Sequence, residues 1–215
     1  MTISVASLTP PLRFSANYDP VVKRLFDLLV SGIATILFLP LFFVIAIAIL
    51  VDSGRPVIYR QIRVGRGGDT FHILKFRTMV TGADSHLKLT AGNDSRITRI
   101  GQFLRRYKID ELPQLLNVVL GDMSLVGPRP EVPEFVEYYT AEDKEIILSV
   151  RPGITDNASI EFKDENALLD GATDPRACYV EEILPAKLSL YRNYVENSTL
   201  ARDISIIFKT MRAIW

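Results

Sequence analysis

Residues Asp94 to Pro130 read DSRITRIGQFLRRYKIDELPQLLNVVLGDMSLVGPRP. Two carboxylates, Asp110 and Glu111, are adjacent in the middle of this stretch. Arg105, Arg106 and Lys108 precede them, and Arg129 follows between two prolines. The spacing of Ile97, Ile100, Phe103 and Leu104 predicts a helix with one buried face, capped by Asp94 or Ser95. A second helix is predicted from Asp110 or Glu111. Pro113 fits its first turn, where no N–H is needed, and Gly121 fits its stop. Leu112, Leu115, Leu116, Val119 and Leu120 give it an apolar side. Both carboxylates then lie at a helix N-terminus, where the backbone dipole and nearby guanidinium groups favour ionised forms. Two ionised carboxylates among arginines suit a hard divalent cation and a phosphate. An isolated Asp-Glu pair is more often a helix cap than a site. A glycosidase pair is a poor fit, because its carboxylates must flank the bond they cleave.

Working outward, composition sets bounds. A chain of 215 residues supports one domain, or two small ones, with a real core. Lys plus Arg equals Asp plus Glu at 25 each, so net charge gives no reason to expect a nucleic-acid partner. The single cysteine, Cys178, excludes an internal disulfide and a Cys-rich zinc site, and fits a reducing compartment. His72 and His86 are too few and too scattered for a histidine metal centre. There are no repeats or low-complexity tracts.

Leu28 to Val51, LLVSGIATILFLPLFFVIAIAILV, carries no charge. Insertion of its Leu, Ile, Val and Phe side chains into lipid is worth about −5 to −9 kcal/mol. A cleaved signal peptide does not fit, since the run starts late and continues past Ala46-Ile47-Ala48. Pro40 sits near the centre and predicts a break. Each half is about 18 Å of helix, against a hydrocarbon core of about 30 Å. Lys23 and Arg24 lie before the run; Arg55, Arg60, Arg63 and Arg66 lie after it. Positive charge on both sides gives no orientation for a span and suits a segment that enters and leaves on one face. The residues alone leave a kinked span and a hairpin both open.

The remaining chain reads as a small domain. Pro56 to Met79 is a predicted β-hairpin turning at Gly65–Asp69, with Lys75 and Arg77 on one face of its second strand. The glycines do not make a phosphate loop, because no Lys-Ser/Thr and no helix follow. The hairpin arginines suit anionic headgroups or solvent equally. Gly82 to Asp94 is a polar loop or short helix. Glu134–Tyr139 and Ala141–Val150 predict short amphipathic helices. Phe135, Val136, Tyr138 and Tyr139 suit either the core or a membrane interface, where aromatic residues collect, and the interface is the favoured expectation. Arg151–Thr155 is a turn by composition. From Asp174 the chain is helical in character and ends in an apolar helix containing Lys209 and Arg212, which either packs on the domain or lies on a membrane. Met1 to Pro20 is expected to be a loose arm.

Three strings occur in order: KFRTM (Lys75–Met79), DELPQLLNVVLGDMSLVGPRP (Asp110–Pro130) and RPGIT (Arg151–Thr155). With the apolar segment before them they closely resemble the bacterial sugar transferases, the monotopic phosphoglycosyl transferases, over about residues 20–160. The resemblance implies a re-entrant helix broken at a proline and selects the hairpin. Members often carry Ser before that proline, where this chain has Leu39, and many continue differently after RPGIT than Asp156 to Asn166 does here. The expected fold is α+β and mostly helical. It has an arm over 1–20, a re-entrant helix-break-helix over 21–53 and a cytoplasmic catalytic domain over 54–215, with the β-hairpin and interfacial amphipathic helices.

The resemblance further implies a nucleotide (uridine diphosphate) sugar donor and a polyprenyl phosphate acceptor, at the cytoplasmic face of a bacterial inner membrane, as the first membrane step of a glycan pathway. Asp110 is implied as nucleophile, forming an aspartyl phosphosugar. Asp110 and Glu111 are the expected Mg²⁺ ligands, and Lys75, Arg105, Arg129 and Arg151 the substrate contacts. A homodimer is compatible with all of this. A rival reading, an inert membrane adaptor for anionic lipids, needs the apolar segment and basic patches but not Asp110 and Glu111. The multi-span phosphosugar transferases are disfavoured by the single apolar segment.

Overall fold

A computed structural model describes residues 19–80, 82 and 96–214. The expected arm before Asp19, the polar stretch after Gly82, and the Asp94/Ser95 cap lie outside the described residues.

The apolar segment is one long helix, α1 (Pro20–Ser53), started by the Asp19 carboxylate, which accepts from Val21 N at 2.8 Å. Pro40 lies inside it and the helix continues through, where the sequence predicted a break. Proline removes one N–H from the ladder. The turns on either side are held by packing of Phe38 and Phe42 on the body. One stripe of α1 faces the rest of the protein along its whole length. Lys23, Asp27, Ser31, Ala34, Phe38, Phe42, Ile45 and Ile49 follow one another in steps of four, four and three residues, a period close to that of a straight helix. The other faces expose Leu25, Leu29, Ile33, Ile36, Leu37, Phe43, Val44 and Val51.

Both ends of α1 are fixed to the same body. Near the start, Lys23 Nζ donates to Asp27 Oδ1 at 3.0 Å and to Asp203 Oδ2 at 2.7 Å, and Asp27 Oδ1 also accepts from Leu125 N at 3.2 Å. Near the end, Ile100 N donates to Asp52, and the buried Arg77 donates to the carbonyls of Ser53, Gly54 and Arg55 at 2.6 to 2.8 Å. Arg77 thereby closes the helix C-terminus, whose partial negative charge it complements.

The hairpin forms as expected, β1 (Ile58–Val64) antiparallel to β2 (Thr70–Phe76), with Tyr59 opposite Lys75. Helix α2 (Arg99–Arg106) starts at Thr98, whose hydroxyl accepts from Gly101 N at 3.0 Å. Of its predicted apolar face, Leu104 is buried, Ile97 and Ile100 are half-buried, and Phe103 is exposed. Helix α3 (Gln114–Leu120) and strand β3 (Ser124–Val126) follow, then α4 (Pro133–Val136) and α5 (Ala141–Ile147). Arg151–Thr155 is more than a turn, because β4 (Gly153–Thr155) pairs parallel with β3. Next come α6 (Asn157–Glu161), α7 (Glu165–Asp170), α8 (Pro175–Cys178), a π-helical turn over Tyr179–Ile183, α9 (Leu184–Glu196) and α10 (Leu200–Ile214). Among the described residues the architecture is mostly helical with two small sheets.

Phe135, Val136 and Tyr139 are buried against Tyr179, Leu184 and Tyr191, and only Tyr138 is exposed. The interface expected for these aromatics is therefore core: α4 is one turn long and packs between β1 and the C-terminal helices, which covers it. Helix α10 docks through Asp203, Ile206 and Thr210 and turns Ile204, Phe208 and Met211 outward.

Candidate active site

The Asp-Glu pair lies on a short 3₁₀ turn, Ile109–Glu111, and α3 begins three residues later with Pro113 at its cap. The sequence placed both carboxylates in the first turn of that helix. They stand before it because Lys108 adopts a left-handed conformation, φ 55°, which folds the chain back between α2 and α3. Such a backbone is unfavourable for lysine by about 1 kcal/mol. No sequence pattern marked Lys108.

Three neighbouring elements bring cations to this turn. Strand β2 is clamped to α3 by the buried Asn117, which accepts from Leu74 N at 3.0 Å and donates to His72 O at 2.8 Å. The clamp delivers Lys75, whose Nζ donates to Glu111 Oε1 at 2.7 Å. Helix α2 packs hard against the end of the hairpin. A Cβ on Gly101 would lie 2.1 Å from Thr78 O, so only glycine fits. That approach lets Arg105 Nε donate to Thr78 Oγ1 at 2.8 Å, with its charge acting on Asp110.

Arg129 comes from the loop after β3. Gly127 and Gly153 hold the base of this loop backbone to backbone; a Cβ on Gly153 would fall 2.1 Å from Gly127 N. Arg63 Nη1 donates to Pro130 O at 3.0 Å from β1. So aimed, Arg129 donates to both Glu111 oxygens, at 2.5 Å to Oε1 and 3.3 Å to Oε2.

Their surroundings shift the two carboxyls in opposite directions. Burial pushes Glu111 up, but the charges of Arg129 and Lys75 and their hydrogen bonds outweigh it and hold the carboxyl well below the usual range. Asp110 is raised, by burial first and by the Glu111 charge second, against the pull of Lys75, Arg105 and Lys108. Arg129 is held firmly protonated by Glu111, while burial lowers Lys75.

Asp110 is 8% exposed and its Oδ1 has no hydrogen-bond partner among the described residues. One helical turn on, Gln114 is 1% exposed with both amide atoms unpartnered among the described residues. Buried polar atoms without partners are uncommon and call for an explanation, a catalytic role among them. Gln114 escaped the sequence reading, although a polar residue four positions after Asp110, amid leucines, was its visible signal. Asp156 was missed as well. It is buried, caps α6 through Ser159, and feels the charge of Arg129.

The structure thus gathers Lys75, Arg105, Asp110, Glu111 and Arg129. Arg151 stands apart, donating to Gly121 O at 2.8 Å beside Arg24 and Arg66. Among the described residues no three His, Cys, Asp or Glu side chains are grouped to hold a metal. Mg²⁺, which keeps several waters and takes one or two carboxylates plus substrate phosphates, does not require such a group. The orphaned Asp110 oxygen beside the Glu111 carboxylate fits it.

A buried carboxylate with an open oxygen, flanked by cations, has the chemistry that suits phosphate. The family model for bacterial sugar transferases matches residues 18–215. The chain is 37% identical over 195 residues to UDP-glucose:undecaprenyl-phosphate glucose-1-phosphate transferase of Caulobacter vibrioides, covering 89% of this chain and 69% of that protein. It is 38% identical over 199 residues to UDP-N-acetylgalactosamine-undecaprenyl-phosphate N-acetylgalactosaminephosphotransferase of Aeromonas hydrophila, covering 90% of this chain but 43% of that longer protein. It is 34% identical over 208 residues to exopolysaccharide production protein ExoY of Rhizobium meliloti, covering 89% of this chain and 84% of that protein. The chain belongs to the bacterial sugar transferase family and is a phosphoglycosyl transferase.

Proposed function

We propose that the protein transfers a sugar 1-phosphate from a uridine diphosphate sugar to polyprenyl phosphate, releasing uridine monophosphate. One observation carries this reading. A buried carboxylate with an unpartnered oxygen, Asp110, adjoins a second, Glu111, that Lys75 and Arg129 hold charged. The names of the relatives, which pair nucleotide sugars with undecaprenyl phosphate, support the substrate classes.

Asp110 attacks the phosphorus that bears the sugar. The phosphoanhydride bond breaks, uridine monophosphate leaves, and an aspartyl phosphosugar remains. An oxygen of the lipid phosphate then attacks the same phosphorus and displaces Asp110. The product is a polyprenyl-diphosphate sugar, and the kinetics are ping-pong. Phosphoryl transfer is catalysed chiefly by in-line positioning and neutralised oxygens. Arg129 suits two-point contact with phosphate, Lys75 supplies a point charge, and Arg105 holds Asp110 towards its ionised form. Glu111 orients Lys75 and Arg129. Mg²⁺ held by Asp110 and Glu111 would supply further charge neutralisation on the donor diphosphate.

Within the same reading, α1 lies in the cytoplasmic leaflet of a bacterial inner membrane with both of its ends at the cytoplasmic face. Attachment of both its ends to one body supports this, as does its exposed apolar surface. Residues 54–215 then form the catalytic domain beside the lipid headgroups, and donor and lipid phosphate meet at one boundary.

The test is uridine monophosphate release from a panel of uridine diphosphate sugars with undecaprenyl phosphate. Release that requires both Asp110 and the lipid is expected. No release with any sugar would leave an inert membrane adaptor as the better description.

A further inference from the structure

At the far end of α3 from Asp110, three arginines converge from three elements. Arg24 of α1 donates to Val118 O at 2.7 Å and to Val119 O at 3.2 Å. Arg151, just before β4, donates to Gly121 O at 2.8 Å. Arg66, at the hairpin turn, is brought in by the bond from Gly67 N to Leu148 O at 2.7 Å. All three are half-buried. The carbonyls take one or two donors from Arg24 and Arg151 and leave the other guanidinium N–H groups uncommitted to the helix end. Arg66 and Arg24 both lie near enough for their charges to act on Arg151.

Carboxylate compensation is weak here. Asp27 is already engaged by Lys23 and Leu125 N, and Asp122 accepts from Asn117. Two guanidinium groups fixed on the end of α3, with a third beside them, suit an anion. Apolar surface adjoins the cluster: Val21 and Leu25 flank Arg24 on α1, and Leu120, 73% exposed, ends α3. A phosphate carrying an acyl tail meets both requirements, and a free phosphate meets one.

We propose that Arg24, Arg66 and Arg151 form a seat for the phosphodiester headgroup of an anionic phospholipid of the bilayer, separate from the reacting phosphates. Distance separates the two sites: α3 is seven residues long, about 10 Å of helix. A phosphate seated at Gly121 is too far from Asp110 to react. The proposal rests on the membrane placement of α1. It adds that headgroup charge fixes how the body sits on the bilayer.

The full chain in detergent is transferred to vesicles of neutral phosphatidylcholine, or of phosphatidylcholine with one-third phosphatidylglycerol, and co-flotation is measured. Arg66→Gln and Arg66→Gln/Arg151→Gln are compared with Lys144→Gln, an exposed charge on α5. Wild type is expected to float with both vesicles and to favour the anionic one. That preference should fall about fivefold per arginine removed, the factor for about 1 kcal/mol per charge at an anionic surface, and stay unchanged in Lys144→Gln. Melting curves of the detergent-held variants check folding. Equal flotation of wild type and variants on both vesicles, or an equal loss in Lys144→Gln, overturns the seat and leaves α1 in the membrane. Failure of wild type to float with either overturns the membrane reading itself.

Discussion

Asp110 and Glu111 are bonded neighbours in the chain, yet their surroundings shift their carboxyl groups in opposite directions. Glu111 accepts from Lys75 and Arg129 and is held ionised, while Asp110 is raised by burial and by the Glu111 charge beside it. One residue is thus fixed as an ion that positions cations, and the other is a carboxylate whose ionisation is pH-dependent.

A raised nucleophile sets an acid limb. Formation of the aspartyl adduct, followed by intact-protein mass spectrometry with donor alone, is expected to slow as pH falls through an apparent pKa above the usual aspartate value of about 3.9. Glu111→Gln removes the like charge and frees Lys75 and Arg129 to act on Asp110. Both changes favour ionisation, so the limb moves to lower pH in whatever activity remains. A limb that stays in place would show that Glu111 does not set the state of Asp110.

Asp110→Asn is expected to abolish the adduct and the product without loss of stability. A carboxyl raised on folding stabilises the fold fully below its unfolded pKa, and that contribution is lost as pH rises through the folded pKa. At neutral pH the asparagine variant should therefore melt at the same temperature as wild type or higher. A fully active variant ends the covalent mechanism, and one that melts well below wild type gives Asp110 a structural role instead.

Glu111→Gln should behave in the opposite way. It leaves Lys75 and Arg129 close together and unpaired, with side chains 18% and 29% exposed. Breaking a fully buried pair costs about 3–5 kcal/mol, and this partial exposure brings the expected loss to about 2–3 kcal/mol. The contribution is present above the unfolded pKa of Glu and is lost as pH falls through the lowered folded pKa, so the gap between wild type and variant should narrow in acid. Denaturant titration at neutral pH and at about pH 4 measures both.

The chain made some of this legible. The hairpin was readable because its turn glycines and alternating strands are local signals, and the motifs around Lys75 and Arg129 pointed to the residues that meet Glu111. The opposite shifts of the two carboxyls were not, because they depend on Asn117 clamping β2 and on the close approach of Gly127 to Gly153, contacts made across the fold. Burial of Phe135, Val136 and Tyr139 was hidden for the same reason: a four-residue helix is too short to show which face is covered. The pairing of β4 with β3 joins residues far apart in sequence, and a three-residue strand carries almost no periodicity.

Gly153→Ala tests that approach directly. Its Cβ would sit 2.1 Å from Gly127 N and 2.5 Å from Gly127 O, and backbone cannot step aside as a side-chain tip can. The two strands must part, and the Arg129 loop moves with them. Turnover is expected to fall at least tenfold with a lowered melting temperature. Normal turnover would mean that Arg129 is aimed by something other than this crossing.

The last prediction concerns the two ends of α1. The helix has 34 residues, about 51 Å of length, which exceeds a hydrocarbon core of about 30 Å. Length alone therefore permits a crossing. Attachment opposes it: Lys23 is held by the buried Asp203 at one end, and Arg77 grips Ser53, Gly54 and Arg55 at the other. Pulling the first turns to the far side would strand Asp27 and Asp203, a loss of several kcal/mol. In a Cys178→Ser background, Asp19→Cys and Arg60→Cys introduce one thiol before the helix and one after it. An impermeant maleimide should label both in inverted inner-membrane vesicles and neither in intact spheroplasts. Labelling of the two positions from opposite sides would make α1 a spanning helix and separate the donor site from the shared boundary the mechanism needs.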